Sequence, residues 1–134
     1  MSIEELRKLT HGLPSLEELI QERTNKMVQW ETDGGTCIGF TLWDEESVSV
    51  IRSFLSKGTH FKPHVHPGSN ETLVIYKGKM KIRYNNSEQF LAEGDTVILD
   101  IEQPHETWAL EDTWLIGITV PGSEGYPRAR HFVE

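Results

Sequence analysis

Apolar and polar residues alternate with a period of two through most of the chain after Lys26, which is the pattern of β-strands with one buried face. The clearest run is 79–84, in which Met80, Ile82 and Tyr84 alternate with basic residues. Further predicted strands cover 27–32, 36–43, 47–55, 72–76, 89–91, 96–100, 105–110 and 114–120. Because polar turns separate these short runs and no helical pattern lies between them, they predict an all-β protein, an antiparallel sandwich or barrel.

Two local patterns add detail to this prediction. The residues Asp33–Gly35 are a hairpin signal, so the first two predicted strands are expected to pair antiparallel. In the run 47–55 one face is largely apolar, whereas the other is mixed and carries Ser49, Ile51 and Ser53.

The first 26 residues have a helical pattern instead. Ser2 with Glu5, and Ser15 with Glu18, have the spacing of capping boxes, and apolar residues recur at helical spacing behind each pair. We therefore expect short N-terminal helices in an extension, residues 1–26, that lies outside the barrel. The barrel domain is predicted to cover 27–134, with an irregular tail after Pro121.

Composition and charge narrow the class of protein. The chain has 134 residues, 37% of them hydrophobic and 25% charged, which fits one folded domain. Its net charge of -8 and pI of about 5.2 argue against nucleic acid and anionic membrane surfaces as partners. Charged residues occupy the N-terminus, where a signal peptide needs an apolar core. Since Cys37 is the only cysteine, no internal disulfide can form, and we expect a cytoplasmic protein in which Cys37 is a buried apolar residue.

The stretch from Gly58 to Gly78 carries the candidate chemistry. Two positions apart on a strand, His64 and His66 point to the same side. A turn signal at 67–70 follows, and Glu71 then begins the next apolar run. Two imidazoles and a carboxylate can therefore converge on one point, for which a divalent metal ion is the simplest reason.

This stretch resembles the first motif of the cupin family at every anchor. The family pattern sets a glycine, two histidines, a glutamate and a closing glycine at fixed spacing, here Gly58, His64, His66, Glu71 and Gly78.

A second, more variable cupin motif supplies one further histidine. The spacing from Gly94 to His105, with Pro104 directly before the histidine, is similar to it. The match is partial, because Asp100 and Glu102 stand where the pattern has proline and glycine, and Ala109 stands where it has asparagine.

The resemblance implies a fold, a site and an assembly. The fold is an antiparallel double-stranded β-helix, or jelly-roll barrel, and the site is a metal centre made by His64, His66, Glu71 and His105. With a divalent ion this set has a net charge of about +1 and leaves coordination positions open, and the lack of thiolates weakens the case for structural zinc. Iron, manganese, nickel, cobalt and zinc all stay candidates. Cupins also often form homodimers through sheet edges, so a homodimer is expected.

The reaction stays open, because cupins with such ligands include dioxygenases, decarboxylases, isomerases, lyases and plain binding modules. We expect first a metal-dependent enzyme, dioxygenase-like or one of these others, acting on a small organic substrate. The alternative is a binding or sensing module that breaks no bond. A third hypothesis is an interaction barrel without a metal.

On the neighbouring strands, residues whose side chains are expected to point inward are further candidates for lining the pocket. The alternative is that these residues belong to the ordinary core. They are Leu73, Ile75, Met80, Ile82, Tyr84 and Thr107, among which Tyr84 is the candidate proton donor for catalysis. His60 shares the parity of His64, but Pro63 interrupts the strand between them and favours a role other than ligand. His11 and His131 are expected to be a helix-end and a surface residue.

Overall fold

The computed structural model describes residues 27–30, 32–100, 102–122 and 131–132, and every regular element in these ranges is a β-strand. The strands are β1 Met27–Trp30, β2 Cys37–Asp44, β3 Ser49–Leu55, β4 His60–Val65, β5 Asn70–Lys77, β6 Lys79–Tyr84, β7 Ser87–Ala92, β8 Thr96–Leu99, β9 His105–Ala109, β10 Thr113–Val120 and β11 His131–Phe132. The predicted N-terminal helices lie outside the described residues. In the described part of the chain, no helix is long and apolar enough to cross a membrane.

The strands form two antiparallel sheets packed face to face. One sheet has the order β1-β2-β3-β10-β5-β8, and the other has the order β11-β4-β9-β6-β7. The predicted hairpin is confirmed, since Met27 pairs with Phe40 and Trp30 with Cys37. Because β4 and β5 follow each other in sequence but belong to different sheets, the chain crosses between the sheets at their connection. The predicted all-β jelly roll is thus confirmed for the described residues.

Side-chain burial alternates along strands such as β3, β5 and β10 as the sequence pattern predicts, and β3 is the most informative case. Its inward residues are Ser49, Ile51, Ser53 and Leu55, so the mixed face of this run is the buried one. The inward side chains of both sheets form one apolar cluster, made by Cys37, Leu55, Phe61, Leu73, Ile75, Met80, Ile82, Leu91, Val97, Leu99, Ala109 and Leu115. Fully burying a side chain such as Ile75 stabilises the fold by about 1.5–3 kcal/mol.

Glycines at positive φ close two of the connections beside the barrel. Gly58 and Gly78 have φ angles of 90° and 94°, a region that side chains with a Cβ rarely adopt. The surroundings differ, because a Cβ on Gly58 would meet nothing within 4 Å, whereas one on Gly78 would lie 2.4 Å from the Asp112 carbonyl oxygen. Gly78 therefore satisfies both a backbone requirement and a packing requirement.

This difference predicts unequal effects of two matched substitutions. Gly58→Ala carries only the conformational cost of positive φ, about 1–2 kcal/mol of unfolding free energy. Gly78→Ala adds overpacking against the 112–113 backbone, about 1–3 kcal/mol more. Urea denaturation of the two variants and the wild type checks this, and equal losses in both variants would contradict the packing role of Gly78.

Candidate metal centre

Three strands and one turn bring the candidate ligands to one end of the barrel, between the two sheets. His64 lies near the end of β4, His66 lies in the turn that follows, and Glu71 lies in β5 of the opposite sheet. His105 opens β9 and pairs directly with His64 in the antiparallel register. The turn is closed by the Ser69 amide, which donates a hydrogen bond to the His66 carbonyl oxygen at 3.2 Å.

The four side chains meet in a buried cluster. One coordinating nitrogen from each of His64, His66 and His105 lies within 4.8 Å of the other two. Glu71 adjoins this group, with Oε2 at 3.0 Å from His66 Nε2 and Oε1 at 3.2 Å from His105 Nε2. All four residues are at most 6% exposed, so bulk water does not solvate the cluster. The structure therefore brings together all four residues nominated from the sequence.

Backbone carbonyls orient two of the imidazoles. His64 Nδ1–H donates to the Lys62 carbonyl oxygen at 2.7 Å, and His105 Nδ1–H donates to the Gln103 carbonyl oxygen at 3.2 Å. Because a carbonyl oxygen can only accept, each neutral ring must carry its proton on Nδ1 and present a lone pair at Nε2. Carbonyl partners of this kind fix the tautomer of metal-binding histidines in proteins.

The Nε2 atom of His105 tests whether these residues fit a metal ion. It is buried and makes no hydrogen bond, although it lies 3.2 Å from a Glu71 oxygen. With Nδ1 protonated, this nitrogen and the carboxylate oxygen are both acceptors, and two buried acceptors that face each other call for a cation between them. Imidazole nitrogens and a carboxylate are suitable ligands for a divalent transition metal. The donor set fits such an ion.

Burial and neighbouring groups shift the ionisation of the cluster in the direction that metal binding requires. Burial lowers the pKa of His64 to about 3, and the nearby His105 adds to this effect. Burial alone raises the pKa of the Glu71 carboxyl, but the neighbouring His66 outweighs it and holds that pKa well below its usual range. Near neutral pH, His64 is thus a neutral imidazole and Glu71 a carboxylate.

The turn before His105 keeps a tight shape despite its departures from the cupin pattern. Glu102 stands where the pattern has glycine, and it adopts a φ of 58° in the left-handed region. The Gln103 amide donates to the Asp100 carbonyl oxygen at 3.1 Å, and the Asp100 amide donates to Gln103 Oε1 at 3.2 Å. These two bonds close the turn that leads into β9.

A narrow cavity of about 60 Å³ extends from the cluster into the barrel. Besides the cluster, it is lined by Trp30, Cys37, Ile51, Ser53, Leu55, Phe61, Leu73, Met80, Thr107 and Leu115. Of the pocket residues predicted from parity, Leu73, Met80 and Thr107 are among these, whereas Ile75 and Ile82 are fully buried in the core. The residues that line the cavity from β1, β2, β3 and β10 were not predicted from the sequence, although the alternating Ser49–Leu55 pattern was a usable signal for β3.

Other residues singled out from the sequence lie elsewhere. His60 points to the outside of the barrel, stacks on Trp108 and bonds Glu106 through Nε2 at 2.7 Å, so its predicted role other than ligand agrees with its position. Tyr84 does not line the cavity, and its hydroxyl accepts a hydrogen bond from Gln89 at 3.0 Å. His131 lies in β11 beside β4.

The position of His60 has a backbone cause. The β4–β9 register shifts between Phe61 and His64, so strict alternation fails there. Phe61 and His64 are both buried although they are three positions apart.

The low pKa of His64 predicts how the stability of the metal-free protein depends on pH. Its value is about 3 in the folded chain and 6.5 ordinarily, so between these values the unfolded chain binds a proton that the folded chain does not. Stabilisation by neutral His64 is therefore complete above pH 6.5 and is lost as the pH falls toward 3. As the pH falls below 6.5, we expect the unfolding free energy of the wild type to drop more steeply than that of His64→Gln, by up to about 1.4 kcal/mol per pH unit.

Urea denaturation in the presence of a chelator, carried out between about pH 6.5 and pH 5, measures both slopes. This window stays above the range in which Glu71 adds its own contribution. Parallel slopes for the wild type and His64→Gln would contradict the shift.

Comparisons with known proteins agree with this fold. The model of the cupin domain family matches residues 52–121, a span that contains all four cluster residues. A KdgF protein from Halomonas sp. is similar in structure, with a TM-score of 0.66, 16% identity, and coverage of 75% of this chain and 94% of that chain. A conserved protein with a double-stranded β-helix domain from Klebsiella pneumoniae has a TM-score of 0.63 and 17% identity, covering 92% of this chain and 97% of that chain. At these identities the likeness concerns the fold alone.

One curated relative is an ATP-dependent DNA helicase, MPH1, from Candida albicans. It is 27% identical over 118 residues, which are 87% of this chain but 9% of the helicase. The chain therefore spans only a small part of that relative's length. The family match covers more than half of the 134 residues and carries the four-residue cluster, and the chain belongs to the cupin domain family.

Proposed function

We propose that this protein is a metal-dependent enzyme that acts on a small organic substrate at the centre formed by His64, His66, Glu71 and His105. One observation carries the proposal, namely the buried convergence of three imidazoles whose coordinating nitrogens lie within 4.8 Å of one another, next to a carboxylate. A closed structural zinc site is disfavoured, because Cys37 is the one cysteine and the cluster contains no thiolate.

The residues of the chain would hold the ion and set its surroundings. His64 and His105 are fixed by their carbonyl partners, so their Nε2 atoms need no reorientation on binding. Glu71 offsets part of the charge of a divalent ion, which leaves the site at about +1 and favours an anionic ligand. The mostly apolar cavity wall excludes bulk water from the same point. When bound, such an ion supplies Lewis-acid polarisation of substrate oxygens or a binding site for dioxygen.

The size of the cavity limits the substrate. A volume of about 60 Å³ holds roughly four to six water-sized groups, at about 10–15 Å³ for each. A short organic acid or carbonyl compound fits this room, whereas a sugar ring or a nucleotide does not. Among the reactions open to cupin sites, dioxygenase chemistry is our first choice, and isomerase, lyase or decarboxylase chemistry comes next.

One observation favours a second function, a binding or sensing module that breaks no bond. Among the described residues that line the cavity, the ionisable side chains are those of the cluster and Cys37. A separate acid or base is therefore not visible at the cavity wall, since Tyr84 lies outside it. A module needs only the metal centre and the cavity, and it would hold a small effector without turnover.

Metal binding is the first prediction of this proposal. A divalent ion at about 100 times its dissociation constant should raise the thermal midpoint of the chelator-treated protein by roughly 5–15 °C, because it binds only the folded state. The double variant His64→Ala with His66→Ala should lose this shift for iron, manganese, nickel, cobalt and zinc. His60→Ala is the matched control, since it removes an outward histidine of the same strand and should keep the shift. No shift of the wild type with any of the five ions would leave a metal-free interaction barrel.

Turnover separates the enzyme from the module. Protein loaded anaerobically with iron(II) and exposed to air should consume dioxygen, or form product, with at least one short acid from a panel of small molecules. Glu71→Gln and the metal-free protein should show little or none, because they lack the carboxylate or the ion. Tight, stoichiometric binding with no product from any loaded form would instead support the module.

A further inference from the structure

The register of the strands shows how far each residue that lines the cavity lies below the level of the four-residue cluster. On β9, Thr107 lies two residues inward from His105, a rise of about 7 Å at about 3.4 Å per residue. In the opposite sheet Ser49 and Glu71 share a level because both pair with Thr119, and Ser53 and Ile75 share a level because both pair with Leu115. Glu71 and Ile75 are four residues apart, so Ser53 lies about 13 Å below the level of the cluster.

Two hydroxyl side chains occur along this depth. Thr107 and Ser53 both line the cavity and are buried, with 4% and 3% of their surfaces exposed. Neither hydroxyl makes a hydrogen bond to another residue within the described part of the chain. Buried polar groups are usually satisfied, so a hydroxyl that faces an otherwise apolar cavity is available to a ligand or to water.

The rest of the lining restricts what can reach these hydroxyls. Apart from Cys37 and Trp30, the wall below the cluster is made by apolar side chains, namely Ile51, Leu55, Phe61, Leu73, Met80 and Leu115. A second charge on a ligand would be buried there without a counter-ion, at a high desolvation cost. A neutral hydroxyl has a smaller desolvation cost and can form a hydrogen bond with Thr107 or Ser53. The deep end of the cavity thus favours neutral polar groups over carboxylates and ammonium groups.

We propose that Thr107 and Ser53 select a short monocarboxylate that carries a neutral hydroxyl at its far end. This inference rests on the proposed metal centre, where the carboxylate binds against the net positive charge of the loaded site. A three-carbon chain places its terminal hydroxyl near the level of Thr107. A four-carbon chain places it one methylene deeper, where a water can bridge it to Ser53. Both residues are specificity-determining residues, because they bind the ligand, Thr107 directly and Ser53 through water, and not the ion.

The test uses the full chain loaded with cobalt(II), whose visible absorption reports both metal uptake and ligand binding. The probes are matched pairs that differ by one hydroxyl: propionate with 3-hydroxypropionate, and butyrate with 4-hydroxybutyrate. The wild type should bind each hydroxy acid about threefold to tenfold more tightly than its partner, which is the range for one buried hydrogen bond. Malonate and β-alanine, which place a charge at the far end, should bind more weakly than 3-hydroxypropionate.

Variants identify the hydroxyl that is responsible. Thr107→Val keeps the shape and should remove the preference for 3-hydroxypropionate, whereas Thr107→Ser should keep it. Ser53→Ala should weaken the preference for 4-hydroxybutyrate more than that for 3-hydroxypropionate. Thr96→Val, at an exposed position on β8, is the matched control and should change neither. All variants should bind cobalt as the wild type does.

The outcomes separate this inference from the proposed metal centre. Normal cobalt binding with equal affinities inside each pair overturns the role of Thr107 and Ser53 and leaves the metal centre standing. Normal cobalt binding with a preference that survives Thr107→Val and Ser53→Ala also overturns it. Failure of the wild type to bind cobalt overturns both.

Discussion

The site depends on two backbone carbonyls that fix how imidazoles face the interior of the barrel. The Lys62 carbonyl holds Nδ1 of His64 and the Gln103 carbonyl holds Nδ1 of His105, so both rings aim their Nε2 atoms at one buried point. Without these bonds a histidine can flip its ring and present either nitrogen. The β4–β9 register then sets His64 against His105, and the crossing into β5 adds Glu71 from the other sheet.

The same arrangement leaves the buried cluster with a negative charge and lone pairs that only a cation can neutralise. The cluster is buried, which keeps His64 neutral with a pKa of about 3, while the neighbouring His66 keeps Glu71 ionised. Lone pairs and a negative charge therefore converge where water is scarce, and a cation is the natural complement. A fold that only needed stability would fill this point with apolar side chains, as it does around Ile75. The cost of keeping polar groups there is the physical argument that the site has a function.

Much of this was predictable from the sequence, because the signals are local. The apolar and polar pattern located nine of the strands in the described chain. The spacing of His64, His66 and Glu71 lies within one short stretch of sequence, so it required no knowledge of distant pairing. His105 is different, since it lies far along the chain and was nominated through the resemblance of its motif. The strand register that brings it to His64 is a tertiary feature that periodicity alone does not give.

The misses have physical causes too. The register shift between Phe61 and His64 reverses parity within β4, so Phe61 was not recognised as a pocket residue. The serines of β3 look like solvent-facing residues in isolation, yet Ser53 is buried because the cavity replaces solvent on its face. Glu102 takes a left-handed conformation in place of the glycine of the family pattern, and the bonds between Asp100 and Gln103 close the turn around it.

An anomalous difference map from crystals of cobalt-loaded protein, recorded at the cobalt absorption edge, tests the central claim most directly. The account predicts one strong peak at about 2.0–2.2 Å from a nitrogen of each of His64, His66 and His105 and from an oxygen of Glu71. A map with no peak at this point, or one in which the ring of His105 is turned away from the other three side chains, would contradict it.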